Sequence, residues 1–221
     1  MNVILFGATG MVGQGVLREC LLDSEVRLVE TIGRSSSGIQ HTKLREIVHP
    51  DMWHYSSVEA DLAGFDACFF CLGVSSAGMK EDNYEHVTYG ITMAAAETLC
   101  RLNPNMTFIY VSGAGTDSSE GGRSMWARVK GKTENALLRL PFKAYLFRPG
   151  FIEPLHGVKS KTPAYRILYT LGKPLWPLLR LAAPNFVLTS EQIGRAMLAI
   201  ARHGALKRIL EIKDIRSAAE L

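Results

Sequence analysis

The chain has 221 residues, a hydrophobic fraction of 47%, a charged fraction of 21% and a formal net charge of +4, which is typical of one globular domain with a substantial core. The charge is small and scattered, which argues against a nucleic-acid partner. No basic segment precedes the first apolar run and no stretch of 18 uncharged apolar residues occurs, so we expect neither a signal peptide nor a transmembrane helix.

Predicted strands and helices alternate along the chain. In order, they are strand 2–6, helix 11–22, strand 26–32, strand 44–48, strand 66–72, helix 81–102, strand 107–112, helix 124–139, strand 144–147, helix 191–202 capped by Thr189 or Ser190, and strand 208–212. This alternation predicts an α/β fold, a doubly wound parallel sheet covered by helices on both faces. We assign residues 1–221 to a single domain.

The first strand ends in three glycines spaced three apart, Gly7, Gly10 and Gly13, and a helix follows at once. A strand, a tight turn and a helix N-terminus together form the usual support for a dinucleotide pyrophosphate. Gly7 permits the turn, Gly10 leaves room for the phosphates, and Gly13 allows the helix to lie close to the strand. The alternative is a glycine-rich turn that binds nothing.

Glycine, serine or proline follows each of five predicted strands, over 7–13, 33–38, 73–78, 112–116 and 148–154. Ligands of such sheets bind beyond the carboxyl ends of the strands, so these five segments are the candidate site.

The end of the second strand bears on the choice of dinucleotide. Arg34 follows this strand, and its guanidinium suits the 2′-phosphate of NADP, with Ser35 as a further donor. An NAD site usually has an acidic residue there, and Glu30 is the rival if the strand ends earlier. Arg34 as a solvated loop residue is the other alternative. We therefore expect NADP, with NAD less favoured.

Four cysteines occur, and Cys68 and Cys71 form a C-x-x-C motif that invites a redox or zinc interpretation. Both lie within a continuous apolar run that predicts a buried strand, where residues three apart point to opposite faces. We therefore expect no metal site and no disulfide here. Reduced thiols fit a cytoplasmic protein.

Several motifs occur in one order: the glycine turn, Gly33-Arg34, Cys71-Leu72-Gly73, Tyr110-Val111-Ser112, Trp126 to Gly131, and Arg148-Pro149-Gly150. In this order the chain resembles the short-chain dehydrogenase/reductase superfamily, in its extended and atypical branches, which include nucleoside-diphosphate-sugar epimerases and Tat-interacting-protein-like oxidoreductases. The resemblance implies an NAD(P)-binding Rossmann fold. It implies cofactor contacts at Gly7, Thr9, Gly10, Met11, Val12, Gly13, Arg34, Ser35, Cys71, Leu72, Gly73, Ser112, Lys130, Arg148, Pro149 and Gly150.

In that superfamily a tyrosine and a lysine four residues later act together, and a serine or threonine steadies the substrate oxygen. Lys130 matches the lysine, Trp126 stands at the tyrosine position, and Ser112 is near the serine position, although another register places Ala114 there. An indole cannot act as the usual acid. The resemblance thus names Lys130, Ser112 and Trp126 as catalytic positions, with proton transfer left to Ser124, Lys130 itself or a water.

Residues 151–190 are expected to form a lid or insertion on the substrate side, and their apolar and aromatic content suits an apolar substrate. Because 155–188 is also basic, contact with a membrane surface is the alternative, which three prolines disfavour. In extended members of the superfamily the helix over 81–102 often forms a two-fold contact, so a homodimer is compatible with the chain.

Two functions from different classes follow. The first is an NADP-dependent oxidoreductase acting on a carbonyl of a small or apolar molecule. The second is a catalytically reduced NADPH-binding regulator or interaction protein. A membrane-surface protein acting through 155–188 is the third and weakest.

Overall fold

The computed structural model describes residues 1–158 and 186–221. Its strands are β1 (Asn2–Phe6), β2 (Leu28–Gly33), β3 (Leu44–Val48), β4 (Ala67–Phe70), β5 (Thr107–Val111), β6 (Lys143–Arg148), β7 (Phe151–Glu153), β8 (Val187–Thr189) and β9 (Ile209–Glu211). Seven of them form one parallel sheet in the order β3-β2-β1-β4-β5-β6-β9. The predicted doubly wound parallel sheet is confirmed.

Helices cover both faces of this sheet. They are α1 (Met11–Leu22), α2 (Glu81–Glu85), α3 (Ile91–Leu102), α4 (Met125–Arg139), α5 (Ser190–His203) and α6 (Ile212–Ala218). Successive residues of β1 show how the two cores arise. Val3 and Leu5 pack in the cluster under α1, α5 and α6, whereas Ile4 and Phe6 pack in the cluster under α3 and α4. The central strands β1, β4 and β5 are almost entirely buried, because both faces of the sheet are covered there.

The order of the strands determines where a ligand can bind. β1 pairs with β2 on one side and with β4 on the other. The connections that follow β1 and β4 therefore leave the sheet in opposite directions, which opens a crevice at the carboxyl edge. All five of the predicted loop segments follow strands at or near this edge.

Three features differ from the sequence prediction. The helix expected over 81–102 is interrupted by a π-helical turn at His86–Gly90, which joins α2 to α3. β7 and β8 form a separate two-stranded parallel sheet, and α6 follows β9 directly. Helical periodicity does not reveal a single wide turn, and strands of three residues carry no period of their own.

The remaining element boundaries agree with the prediction to within two residues. Of the two predicted caps for α5, Thr189 is the one that acts: its side chain accepts from the amide of Gln192, 3.0 Å away, in a reciprocal capping box. Such a box satisfies two otherwise unpaired backbone donors.

Most of the predicted lid over 151–190 lies outside the described residues, as does most of the alternative membrane segment over 155–188. Both stay predictions, and so do the single-domain assignment and the homodimer. Within 1–158 and 186–221, none of the helices combines the length and hydropathy needed to cross a bilayer.

Candidate functional site

A cleft of about 540 Å³ lies at the carboxyl edge of the sheet, over the crevice between β1 and β4. Most of the residues predicted to contact a cofactor line it: Gly7, Thr9, Gly10, Met11, Val12, Arg34, Ser35, Cys71, Leu72, Gly73, Ser112, Lys130, Pro149 and Gly150. The structure therefore brings together five loops that are far apart in the sequence. Three of the predicted residues do not line this cleft: Gly13, Trp126 and Arg148. Each of them contacts a neighbouring part of the site.

The glycine turn is built by close backbone contacts. Gly7 has a φ of +81°, and a Cβ there would lie 2.7 Å from the backbone of Cys71 and of Leu72. A Cβ on Gly13 would lie 2.1 Å from the carbonyl oxygen of Gly7, so Gly13 acts from behind the turn rather than inside the cleft. The N-terminus of α1 opens into the cleft at Gly10 without a side-chain cap, which leaves its amides for an anion.

Arg34 and Ser35, after β2, are exposed and line the cleft. Among the described residues, Arg34 makes no hydrogen bond or ion pair. Its loop is held from behind by the carboxylate of Glu46, which accepts from Ser36 and from the amide of Ser37. Burial alone would raise the pKa of Glu46, but these hydrogen bonds hold it below its usual value. The loop thus presents the Arg34 cation to the cleft, whereas Glu46, which holds the loop, does not line the cleft.

Glu30, the rival candidate for a ribose contact, lies elsewhere. It is fully buried in the middle of β2 and forms an ion pair with Arg45. It is not among the residues that line the cleft. Burial of the Glu30 carboxylate raises its pKa through desolvation. Glu30 therefore serves as the internal partner of Arg45.

A smaller cavity of about 130 Å³ adjoins the cleft beside Arg34. Its walls are mainly apolar, with contributions from Met52, Phe70 and Ile91. At its rim Trp53 stacks on His86, with ring centroids 5.2 Å apart. The two cavities share Leu72, Gly73 and Val74 as well as Arg34, so together they form one elongated depression.

The other end of the cleft is set by one face of α4. Trp126, Lys130 and Glu134 are spaced four apart, so they lie above one another along this helix. Trp126 packs on the loop after β5: a Cβ on Gly113 or Gly115 would be 3.8 or 3.7 Å from the indole ring. The indole therefore covers this loop from outside, and only Lys130 of the three lines the cleft.

Lys130 is 8% exposed. Its Nζ donates to the carbonyl oxygen of Val111 at 3.2 Å and lies 4.9 Å from the centre of the Tyr110 ring. Burial lowers the pKa of Lys130 to about 8, although the nearby negative charge of Glu134 opposes this shift. A lysine in this setting can gain and lose a proton near neutral pH.

Glu134 was missed by the sequence analysis, and it organises this end of the site. Its carboxylate is fully buried and accepts from Ser112 Oγ at 2.5 Å and from Arg148 Nη2 at 2.5 Å. Ser112 lines the cleft while its hydroxyl is bonded to Glu134, and the side chain of Arg148 is paired with Glu134 and does not line the cleft. The signal for Glu134 in the sequence was a charged residue among the positions of α4 that face the core.

The thiols of Cys68 and Cys71 are free, and they belong to opposite faces of the sheet. Cys71 lines the cleft, but burial raises the pKa of its thiol well above the usual value. A thiol in this state is a poor nucleophile. Among the described residues, no cluster of three or more potential metal ligands occurs.

Comparisons with known sequences give distant relatives with one name. The chain is 28% identical over 155 residues to "Protein FMP52-2, mitochondrial" of Scheffersomyces stipitis, covering 68% of this chain and 66% of that protein, slightly less than two thirds of its length. It is 26% identical over 227 residues to "Protein FMP52, mitochondrial" of Eremothecium gossypii, covering 98% and 96% of the two chains. No family model matches.

These names correct one prediction. The relatives are all named mitochondrial proteins, so the expectation of a cytoplasmic protein is wrong. Reduced cysteines were the basis for that expectation, and they do not distinguish the cytoplasm from other reducing compartments.

Solved structures share the fold over nearly the whole chain. The enzyme WbmF of Bordetella bronchiseptica in complex with NAD⁺ superposes with a TM-score of 0.69 at 15% identity, covering 99% of this chain and 76% of that one. A short-chain dehydrogenase/reductase from Saccharomyces cerevisiae gives 0.64 at 17%, covering 100% and 99%. UDP-glucuronic acid 4-epimerase from Bacillus cereus with NAD gives 0.67 at 14%, covering 96% and 76%.

Proposed function

We propose that this chain, whose fold is that of the extended short-chain dehydrogenases/reductases, binds NADP(H) and acts as an oxidoreductase on a carbonyl of a small or apolar substrate. The observation that supports this most strongly is an elongated depression that carries an uncapped helix N-terminus, an arginine with no partner among residues 1–158 and 186–221, and a buried lysine. Arg34 follows β2, and the Nζ of Lys130 on α4 reaches the end of β5, which is three strand spacings away, or about 14 Å. An extended dinucleotide suits this shape.

The residues present fit such a cofactor. Side chains at Gly7 and Gly13 would collide with neighbouring backbone, so the turn keeps the space that a pyrophosphate needs, and the amides of α1 face it. The small apolar cavity beside Arg34 suits the adenine ring. A bound nicotinamide would then lie near Lys130, Pro149 and Gly150, where it supplies the hydride.

Arg34 favours NADP over NAD. Arg34 lines both cavities, and its guanidinium has no partner among the described residues, so it is free to bind the 2′-phosphate. Glu30, whose carboxylate would have favoured NAD, is committed to Arg45.

A titration with NADPH and then NADH tests this proposal, with energy transfer from tryptophan to the reduced nicotinamide as the signal. We expect tight binding of NADPH and weaker binding of NADH. Failure of both cofactors to bind would overturn the proposal, whereas equal binding would remove only the preference for NADP.

A second candidate function is an NADPH-binding regulator with little catalytic activity. The packing of Trp126 on the loop after β5 favours it, because an indole fills the position of the expected tyrosine without lining the cleft. The variant Trp126→Tyr distinguishes the two. A large gain in carbonyl reduction with unchanged NADPH affinity would favour the regulator, and no gain would favour an enzyme whose proton source is elsewhere.

A further inference from the structure

Reduction of a carbonyl needs a proton as well as a hydride. Among the described residues that line the cleft, three side chains ionise: Arg34, Cys71 and Lys130. An arginine stays protonated at all ordinary pH values, and burial keeps the Cys71 thiol protonated. Ser124, another candidate donor, is exposed at the start of α4 and does not line the cleft.

The position of Lys130 leaves a proton directed towards the cleft. An ammonium has three N–H donors. One reaches the carbonyl oxygen of Val111 at 3.2 Å, and a second faces the Tyr110 ring, whose centre is 4.9 Å away. Among the described residues no carboxylate forms an ion pair with Lys130, because Glu134 is taken by Arg148 and Ser112. The third N–H is therefore available.

We propose that Lys130 itself delivers the proton to the carbonyl oxygen of the substrate, and that Trp126 only holds the loop after β5 against α4. This inference rests on the proposed NADPH-dependent reduction. The hydride of NADPH forms the new C–H bond, the π electrons of the C=O bond move to oxygen, and an Nζ–H bond breaks as the O–H bond forms. NADP⁺ and the neutral amine result, and solvent protonates the amine again.

The charge of Lys130 suits this cycle. Burial lowers the pKa of its ammonium to about 8, so at neutral pH the acid form predominates and proton loss is not prohibitively costly. The other ionisable groups facing it come from three elements. Tyr110 on β5 has a raised pKa through burial, Arg148 on β6 has a raised pKa through its bond to Glu134, and Glu134 on α4 is their buried partner.

Labelling with pyridoxal phosphate and borohydride tests the position and titration of Lys130 without any substrate. The neutral amine forms an imine with the aldehyde, borohydride reduces it, and mass spectrometry identifies the lysine. We expect Lys130 to be labelled with a midpoint at pH about 8 and to be protected by NADPH. Lys132 is the matched control, because its bond to Glu85 raises its pKa. A Lys130 midpoint no lower than that of Lys132, or no protection, overturns the proposal.

Kinetics test the step itself. The probes are NADPH with 9,10-phenanthrenequinone and with straight-chain aldehydes of increasing length. We expect kcat/KM to be constant below pH 8 and to fall about tenfold per pH unit above it. The variant Lys130→Arg keeps the charge but cannot release a proton. It should bind NADPH and lose about 100-fold or more in kcat, with no inflection near pH 8.

The outcomes separate this inference from the proposed function. If the wild-type protein reduces a probe and Lys130→Arg does so within threefold at the same pH profile, the role of Lys130 falls and the reductase stands. If the wild-type protein binds NADPH but reduces no probe, both fall and the regulator remains. Lys130→Met provides the same comparison if the arginine variant does not fold.

Discussion

The two ends of the cleft differ in what forms them, which is backbone at one end and charged side chains at the other. At the turn after β1, the site is formed by backbone: glycines that leave no room for a Cβ and the free amides at the N-terminus of α1. At the end of β5, the site is formed by three charged side chains that are buried or nearly buried: Lys130, Glu134 and Arg148. The first end is formed by glycines that are close together in the sequence, although Gly7 also lies against the backbone of Cys71 and Leu72 after β4. The second depends on β6 and α4 meeting in the fold, so its chemistry is sensitive to distant packing.

The largest effect should come from the side-chain end. Glu134→Gln leaves Arg148 without its buried carboxylate, and removal of one partner of a buried ion pair costs about 3–5 kcal/mol. Chemical denaturation measures the loss. Glu211→Gln is the matched control, because Glu211 holds the same arginine at 3.3 Å but is 53% exposed, and we expect a loss below about 0.5 kcal/mol. Similar losses in both variants would mean that burial does not distinguish the two carboxylates.

At the backbone end, Gly13→Ala places a methyl group 2.1 Å from the Gly7 carbonyl oxygen. Overpacking against backbone should cost about 3 kcal/mol and abolish NADPH binding. The control for folding is Gly73→Ala in the same cleft, where a Cβ meets nothing within 4 Å. A Gly13→Ala protein as stable as Gly73→Ala would show that the turn is not built by close approach.

Lys130→Met should stabilise the protein free of ligand by about 3 kcal/mol at pH 7. The unperturbed value is 10.5 and burial lowers the pKa in the folded protein to about 8. Below pH 8 the folded state bears the full cost of a buried charge. As pH rises from 8 to 10.5 the folded lysine loses its proton first, so the stability of the wild-type protein rises.

The stability of Lys130→Met should show no such rise. Thermal denaturation of both proteins between pH 6 and 10 measures the difference. A constant difference between the two curves would place the Lys130 charge in solvent.

The smallest effect concerns the exposed Arg34. Arg34→Ala should weaken NADPH binding by about tenfold or more through loss of a charge-assisted bond, with NADH binding and stability unchanged. Fluorescence titrations with both cofactors measure this. Arg34→Lys should recover part of the affinity, because an ammonium binds phosphate without the bidentate geometry. Equal losses for NADPH and NADH would remove the 2′-phosphate as the ligand of Arg34.

The features of this chain that are local in sequence were the predictable ones. The alternation of strands and helices is local and periodic, so the α/β class and most boundaries were predicted. β7 and β8 pair across a long sequence separation and have only three residues each, so no local sequence pattern predicts them. The π turn at His86–Gly90 leaves the apolar period of the helix nearly intact.

The sequence by itself determined the parallel sheet, the glycine turn and the loops at the carboxyl edge of the sheet, because each follows from local residue patterns and from the shared direction of parallel strands. Only the tertiary structure decided that Ser112 and Arg148 turn to Glu134, that Trp126 covers the loop after β5, and that Lys130 is buried beside the Tyr110 ring. Side-chain direction and burial arise from contacts between distant segments. They set the pKa of Lys130, and therefore the chemistry open to this site.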